Sequence, residues 1–392
     1  MEQRTSHPIL DKIAVIVFAA ALLAVPLATF LLPTLTVSDT ENRMLADRPR
    51  LTREALLDGS YFDSWETWFK DHIAGRDLML RANTLLDLTI RDRFVVSDLL
   101  LTGERILPVM PQTDMTDVAG RAASAADGLS SLNELVRSYG GTFLYVGVPV
   151  QADVFADEYP DGVYCGAEDR AVTTAAFRAA LAEREVPFLD AMEVFTAVGG
   201  AKQFYMSTDH HYTLPGAHVL LQAILAELRV MGVEAELPDI TFEELGRLKG
   251  SRSQPLFRLP SLSDPLYLGR FDEEIPFTRI DGKKAVESRV YHLPAEAPDY
   301  YSYGVYMGGD IPATTIQTDR PELPDLLIFG DSYTNAVETM ADAAFDTMQS
   351  LDLRYYREMK LSEYVLATKP DVVICIRDSA HYLDTTNNGN VR

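Results

Sequence analysis

The sequence has little cysteine and little positive charge for its length. Its 392 residues include two cysteines, Cys165 in a loop-like stretch and Cys375 in an apolar stretch, which excludes a small disulfide scaffold and gives no metal-knuckle spacing. The 35 Lys and Arg are outnumbered by 58 Asp and Glu, giving a net charge of −23. Because phosphate binding needs a cationic face, we expect no nucleic-acid ligand. The 47% of hydrophobic residues predict a globular chain with a core.

Charge is absent from one run near the N terminus. Residues Ile13 to Leu32 contain no charged side chain, and 20 helical residues at about 1.5 Å each match a hydrocarbon core of about 30 Å. A cleaved signal peptide has a shorter apolar region and small residues at its cleavage site. We therefore predict an uncleaved membrane anchor within residues 1–36, a single-pass protein of the cell membrane, and an extracytoplasmic body.

The body, residues 37–380, alternates apolar strand patterns with helical patterns. This alternation predicts an α/β fold in which a parallel sheet carries helices on both faces. Residues 240–322 are rich in Pro, Gly and Tyr and break the alternation, so we expect an irregular insertion there. Residues 381–392 are polar and are predicted to form a flexible tail. The predicted strands are 142–150, 186–189, 325–329, 346–351 and 371–376, and the helices are 65–91, 116–139, 171–184, 334 onward and 361–368.

One chemical signal is a serine at the end of an apolar strand. Leu326 to Phe329 lead into Gly330-Asp331-Ser332, and a helical pattern follows. Such a serine stands at the carboxyl edge of the sheet, where open α/β sheets bind ligands. A nucleophile there can use backbone N–H groups at the helix start to stabilise an oxyanion. A turn that caps a helix is the plainer interpretation of the same tripeptide.

A second signal is the run Asp209-His210-His211, followed by Thr213 as a helix cap and Pro215 in the first helical turn. In an extended segment Asp209 and His211 point the same way and His210 points oppositely. The run can supply a base and the acid that orients it. A solvated loop and a metal site are alternatives, although no His-x-x-x-His pair accompanies the run.

Together the two signals supply the three groups of a hydrolytic triad. A serine nucleophile needs a base that removes its proton and a third group that holds the imidazole, and these residues can occur in any chain order. Ser332, His211 and Asp209 fill the three roles. Their separation along the chain is no obstacle, because a parallel sheet brings distant strand ends together.

Several motifs together resemble the DHHW protein family. They are Thr208 to Thr213, Tyr303 to Asp310, Gly330 to Tyr333 and Asp352 to Tyr356. That family is similar to alginate O-acetylation proteins of the AlgJ and AlgX type and has an SGNH-hydrolase-like fold. The resemblance implies Ser332 as nucleophile, Asp209 and His211 as the Asp-x-His pair, and a circularly permuted motif order. Tyr212 stands where the family name implies Trp.

The resemblance implies a membrane-anchored O-acetyltransferase or acetylesterase that acts on cell-surface polysaccharide. We expect the backbone N–H groups of Ser332 and Tyr333 at the oxyanion, with Arg354, Tyr212 and His210 as further oxyanion or substrate contacts. No cofactor or metal is expected. A transferase would need a multispanning membrane acyltransferase as partner, because cytoplasmic acetyl-CoA cannot reach an extracytoplasmic serine. The alternatives are a noncatalytic carbohydrate-binding or scaffolding subunit of a polysaccharide complex, and a metal phosphoesterase built on Asp209-His210-His211.

Overall fold

The chain divides into two compact units. The computed structural model describes residues 8–38, 40–41 and 43–391. The first unit holds the residues up to Ser97 together with Gln254–Pro260, and the second holds Asp98–Ser253 and the chain from Ser261 onward. The first seven residues of the predicted anchor and the last residue of the predicted tail lie outside the described residues.

The first unit is mainly helical. Its helix α1 includes the segment Asp11–Leu31, which is long and apolar enough to cross a membrane. The single helix predicted over residues 65–91 is instead two helices, because the chain turns at Gly75, which has the left-handed φ of 75°. The elements are α1 (Pro8–Leu31), β1 (Val37–Ser38), β2 (Arg43–Met44), α2 (Arg53–Leu57), α3 (Ser60–His72), α4 (Arg76–Thr89) and β3 (Val95–Val96).

The second unit is built on one large sheet. Its central strands are formed by apolar runs of the sequence. Helices connect these strands, and some of them begin at N-cap residues such as Asp190 and Thr213. The elements are β4 (Leu99–Leu101), β5 (Ile106–Pro108), α5 (Val118–Ser138), β6 (Thr142–Val148), α6 (Gln151–Val154), α7 (Ala167–Glu183), β7 (Phe188–Asp190), α8 (Ala191–Ala197), α9 (Leu214–Val230), β8 (Ile240–Leu248), β9 (Asp264–Phe271), β10 (Thr278–Asp281), β11 (Lys284–Val286), β12 (Ala313–Gln317), β13 (Leu326–Gly330), α10 (Thr334–Ala341), β14 (Thr347–Leu351), α11 (Leu361–Thr368) and β15 (Val372–Asp378).

The sheet confirms the predicted α/β fold. Its eight strands lie in the order β11-β10-β12-β14-β13-β15-β6-β7, and the five strands from β14 to β7 are parallel. If β13 is numbered as the first strand, the spatial order of these five strands is 2-1-3-4-5, which is typical of doubly wound folds. The chain forms the fourth and fifth of these strands, β6 and β7, before it forms the other three. The permuted order thus follows from the topology. In this order the ligand crevice opens between the first and third strands, here β13 and β15.

Both faces of the parallel part are apolar. Phe143, Phe329 and Cys375 pack with α5, α7 and α11 in one buried cluster. The alternating neighbours Leu144 and Ile328 are also fully buried and point to the opposite face. Burial on both faces explains why these strands are continuous apolar runs in the sequence.

Two segments are more ordered than the sequence predicts. The irregular insertion expected at 240–322 contains the antiparallel pair β8 and β9 and the strands β10 to β12, which extend the main sheet in antiparallel fashion. These strands are short and separated by turn formers, so their pattern is weak. The tail expected to be flexible buries Tyr382, Leu383 and Val391 against the cluster on the α5 face.

The turn after β13 depends on a glycine. A Cβ atom at Gly330 would lie 1.9 Å from the backbone oxygen of Ile376 on β15. A side chain there would force the two central strands apart at the point where the predicted nucleophile follows.

We predict that Gly330→Ala lowers the free energy of unfolding by roughly 2 to 3 kcal/mol, because backbone atoms must move to admit the methyl group. Urea unfolding measures the change. The matched control is Gly103→Ala, because nothing lies within 4 Å of a Cβ atom there. Equal stability of the two variants would contradict this account of the turn.

A buried acid lies on α10 directly after this turn. The Glu338 side chain is 2% exposed, and it accepts a hydrogen bond from Ser350 Oγ at 2.9 Å. Burial raises the pKa of Glu338 to about 7. Because its pKa is raised, Glu338 contributes stability at pH values below the ordinary pKa of a glutamate. This contribution is lost as the pH rises through about 7.

We therefore predict that wild type loses up to about 3 kcal/mol of stability relative to Glu338→Gln between pH 5 and pH 9. The glutamine keeps an acceptor for Ser350 and has no charge to desolvate. Urea unfolding of both proteins across this range gives the difference. A difference that does not change with pH would show that Glu338 does not titrate in this range.

Candidate active site

Ser332 lies in a turn that the preceding residue fixes. The Asp331 N–H donates to Ile376 O at 3.3 Å, and the Asp331 carboxylate accepts from the N–H groups of Tyr333 at 3.1 Å and Asp378 at 3.0 Å. Burial and the neighbouring Asp378 raise the pKa of Asp331. These contacts tie the turn to the end of β15, so Ser332 stands at the crevice between β13 and β15.

Two side chains, those of Asp264 and Gln151, hold the loop that carries the histidines. The Asp264 carboxylate accepts from Ser207 N–H at 2.6 Å, Thr208 N–H at 2.8 Å and Thr208 Oγ1 at 2.5 Å. The Gln151 amide donates to Asp209 O at 2.9 Å. Buried side chains thus satisfy the backbone of the loop and fix its path.

Three predicted residues meet at the end of this loop. His211 Nε2 lies 2.7 Å from Ser332 Oγ, and His211 Nδ1 lies 2.6 Å from Asp209 Oδ1. With Nδ1–H donating to the carboxylate, Nε2 is free to accept the serine proton. The side chains of His211 and Asp209 are 4% and 2% exposed. This arrangement can activate a serine hydroxyl, and the catalytic roles remain a prediction.

Asp209 keeps its negative charge although it is buried. Burial alone would raise its pKa, but His211, His210 and the Ser251 N–H outweigh that effect and lower the pKa of Asp209. The Ser251 N–H donates to Asp209 Oδ2 at 2.7 Å. A Cβ atom at Gly250 would lie 2.3 Å from Asp209 Cβ, so the close approach of this backbone depends on glycine.

The His211 imidazole packs against an aromatic neighbour. The ring of Tyr303 stacks on His211 with centroids 3.7 Å apart and planes 4° apart. The Tyr303 hydroxyl donates to Ser332 O at 3.3 Å. One side chain therefore contacts both the His211 ring and the backbone of Ser332.

His210 lies beside the relay and not opposite to it as the alternation of side chains predicts, because its Nδ1 is 3.5 Å from Asp209 Oδ1. Its ring lies 3.7 Å from that of His211 between centroids, and its Nδ1 lies 2.8 Å from Ser251 Oγ. Burial and the adjacent His211 lower the pKa of His210. No hydrogen bond between His210 and Ser332 occurs among the described residues.

The metal alternative can be tested against the same geometry. Asp209, His210 and His211 can bring one ligand atom each within 4.8 Å of one another. However, both nitrogens of His211 already hydrogen-bond to Ser332 and Asp209. An ion bound through His211 would have to break one of these bonds, so the cluster fits a proton relay better than a metal site.

Tyr212 and Tyr333 join the two chain segments of the site. The Tyr212 hydroxyl donates to Tyr333 O, and the Tyr333 hydroxyl donates to His210 O at 2.7 Å. Tyr212 is fully buried, so it serves as a link in the interior and not as the aromatic surface expected beside a substrate.

The oxyanion prediction needs a correction. The Tyr333 N–H is engaged by the Asp331 carboxylate and is not directed at a substrate. Of the two expected donors, the Ser332 N–H alone has no hydrogen-bond partner within the described ranges.

Arg354 is part of an ion-pair cluster. Its Nη2 lies 2.7 Å from Asp352 Oδ2 and 2.8 Å from Asp310 Oδ2. Asn335 Nδ2 donates to the same Asp310 at 3.4 Å. Because two carboxylates neutralise the guanidinium, the structure favours a structural role over the oxyanion contact expected for Arg354.

Sequence reasoning did not identify several supporting residues. Arg252 is one of them. Its backbone N–H donates to Thr208 O at 3.0 Å, and its side-chain Nε is buried without a hydrogen-bond partner among the described atoms. Apart from Tyr303, which begins one of the family motifs, these residues lie outside the motifs and have no characteristic spacing, so no signal in a single sequence marks their roles. The set comprises Gln151, Gly250, Ser251, Arg252, Asp264 and Tyr303.

Comparisons with known proteins agree with this architecture. Residues 111–256 match the family model described as an SGNH hydrolase-like domain, acetyltransferase AlgX. This segment includes Asp209 and His211 and ends before Ser332. No curated protein sequence shows a significant match.

Solved structures share the fold. PatB1 of Bacillus cereus, solved with a sulfonyl adduct, has a TM-score of 0.61 at 17% identity over 75% of this chain and 98% of that chain. A DHHW family protein from Eubacterium siraeum has a TM-score of 0.55 at 18% identity, over 75% and 95%. The O-acetyltransferase domain of Pseudomonas putida AlgJ has a TM-score of 0.46 at 13% identity, over 75% and 99%. The chain therefore has an SGNH-hydrolase-like fold and, as the sequence motifs predict, is similar to DHHW-family and AlgX-type proteins.

Proposed function

We propose that this chain is a membrane-anchored, extracytoplasmic O-acetyltransferase that modifies a cell-surface polysaccharide. The observation that carries the proposal is the continuous hydrogen-bonded series from Asp209 through His211 to Ser332, at 2.6 and 2.7 Å. The match of residues 111–256 to an acetyltransferase family model supports the same reaction class. A noncatalytic subunit would have no need for a buried charged carboxylate aligned with a histidine and a serine.

The first half of the reaction forms an acetyl-enzyme. Ser332 Oγ attacks the carbonyl carbon of the acetyl donor while His211 Nε2 takes the hydroxyl proton. Asp209 stabilises the resulting imidazolium and holds its orientation. When the tetrahedral intermediate collapses, the bond to the donor oxygen breaks, and the leaving oxygen receives the proton from His211.

The second half transfers the acetyl group to the polymer. A sugar hydroxyl gives its proton to His211 and attacks the acetyl carbon on Ser332. The Ser332 oxygen leaves and recovers the proton, which restores the enzyme. The Ser332 N–H is the donor available to the oxyanion in both halves, and a well-placed donor of this kind contributes about 3 kcal/mol to transition-state stabilisation.

The acetyl donor must be available on the outer side of the membrane. Residues 13–32 provide one apolar helix, and a single helix cannot carry an acyl group across a bilayer. The chain also has no glycine-rich phosphate loop for a coenzyme A thioester. We therefore propose that a multispanning membrane acyltransferase delivers the acetyl group to Ser332.

Substitution of the triad tests the proposed chemistry. Ser332→Ala, His211→Ala and Asp209→Ala should each lower the turnover of an aryl acetate by about a thousandfold or more, because the three residues act as a unit. Initial rates on purified protein measure the loss. Thermal unfolding of each variant shows whether the fold is retained.

His210→Ala is the matched control, because it removes the adjacent imidazole and keeps the hydrogen bonds of His211 to Asp209 and Ser332. We expect a much smaller loss of turnover for this variant. Wild-type turnover by Ser332→Ala would exclude the nucleophile, and equal losses at His210 and His211 would exclude the assignment of the base.

The direction of transfer is tested in a strain that lacks the gene. A transferase predicts a decrease in the O-acetyl content of the surface polysaccharide, because new acetyl esters are no longer formed. Acetate release from purified polymer after mild alkali measures that content. An increase would show an acetylesterase that releases acetate to water, and no change would favour the noncatalytic subunit.

A further inference from the structure

Helix α4 in the first unit has its polarity inverted. Six large apolar side chains on it or at its end are 39% exposed or more; Leu80 is 39% exposed, and the other five are at least 42% exposed. Thr84 and Asp87 are instead buried at 5% exposure. The exposed five are Leu78, Met79, Leu85, Leu86 and Ile90.

The exposed residues form one continuous face. They occur at i, i+1, i+7, i+8 and i+12, and this spacing places them on one side of a helix, with Ala82 between them. The buried Asp87 is satisfied locally, because its carboxylate accepts from Arg91 Nη1 at 2.7 Å and Asn83 Nδ2 at 3.2 Å. A helix of a soluble protein normally buries its apolar face, whereas the apolar face of α4 is exposed to solvent.

The corner between α3 and α4 is attached to the apolar helix α1. The Ala74 N–H donates to Thr29 Oγ1 at 2.9 Å, and the Phe30 ring stacks on Trp68 with centroids 5.5 Å apart. Thr29 and Phe30 both belong to the apolar segment Asp11–Leu31. If α1 spans a bilayer, the corner therefore lies at the depth of the headgroups and the outer acyl chains.

The apolar surface continues from α1 to α4. Leu32 and Leu35, which follow α1, line the same pocket as Leu78 at the start of α4. Arg81 is exposed on α4 at the border of the apolar face, where its aliphatic stem can lie on that face while its charge stays in water. This pattern is typical of a helix that lies in the membrane interface.

The charge distribution permits a close approach to anionic lipid. Residues 37–97 contain nine Lys and Arg against eleven Asp and Glu, whereas residues 98–392 contain 24 against 45. Residues 37–97 are therefore nearly neutral, and the strong negative charge belongs to residues 98–392. Repulsion by anionic headgroups is weakest for the segment that contains α4.

We infer that α4 is an interfacial membrane helix whose apolar face, Leu78, Met79, Leu85, Leu86 and Ile90, lies at the boundary of headgroups and acyl chains. The ligand is the surface of a phospholipid bilayer. This inference rests on the anchoring by α1 in the proposed function. With α4 as a second membrane contact, the first unit is held by two helices and cannot rotate freely about α1.

The test uses the full chain in nanodiscs of phosphatidylglycerol and phosphatidylcholine, with one protein per disc. Cys165→Ser removes the more accessible thiol, since Cys375 is buried. A nitroxide is then attached at Leu86→Cys or, as the matched control on the opposite side of α4, at Asp77→Cys. We expect oxygen to relax the label at 86 more strongly than a water-soluble nickel complex does, and the reverse at 77.

A label at 86 that is as accessible to nickel as the label at 77 would overturn the inference. Protection of position 86 from both reagents would overturn it in favour of a protein partner. Failure of the chain to enter nanodiscs would instead refute the anchor itself, and carbonate extraction of cell membranes, which should leave full-length protein in the pellet, checks that point separately.

A measurement on the unlabelled wild type does not depend on any substitution. The chain has two tryptophans, Trp65 and Trp68, and both lie on α3 next to the end of α1. Phospholipids brominated near the headgroup end of the acyl chain should quench their fluorescence more than lipids brominated near the chain terminus. Absence of quenching by both lipids would place the corner outside the bilayer and contradict the inference.

Discussion

The site depends on the hydrogen bond between the buried carboxylate of Asp209 and Nδ1 of His211. A carboxylate taken out of water is costly unless its oxygens are satisfied, and here the Ser251 N–H and the His211 N–H and ring complete its partners. Gly250 permits the close approach of that backbone. The aligned imidazole, and with it any activation of Ser332, exists because the fold stabilises this one charge.

The fold joins two segments that are 121 residues apart, as His211 and Ser332 are. Gly330 lets β13 approach β15 closely, and Asp331 fixes the turn that follows. Tyr212 and Tyr333 then exchange hydrogen bonds with the opposite backbone. Because these links are buried, the distance between Ser332 and His211 is set by the packed interior.

The sequence was sufficient for the parallel strands and for the three residues of the relay, because continuous apolar runs and polar motifs at their ends are local signals. It did not predict that Tyr303 stacks on His211. It also did not predict that the Tyr333 N–H donates to the Asp331 carboxylate. The antiparallel strands β10 to β12 were missed because short strands depend on their neighbours. The division between α3 and α4 lies at Ile73–Gly75, where the backbone leaves the helical conformation within a pattern that otherwise predicts one helix.

The proposed reaction requires that Ser332 carries the acyl group during turnover. The most direct measurement is peptide mapping by mass spectrometry of protein quenched in acid within the first turnovers of an aryl acetate. We expect one acetyl group per chain, located on Ser332, and none in Ser332→Ala. Acetylation of another residue, or full turnover without any acetyl group on Ser332, would contradict it.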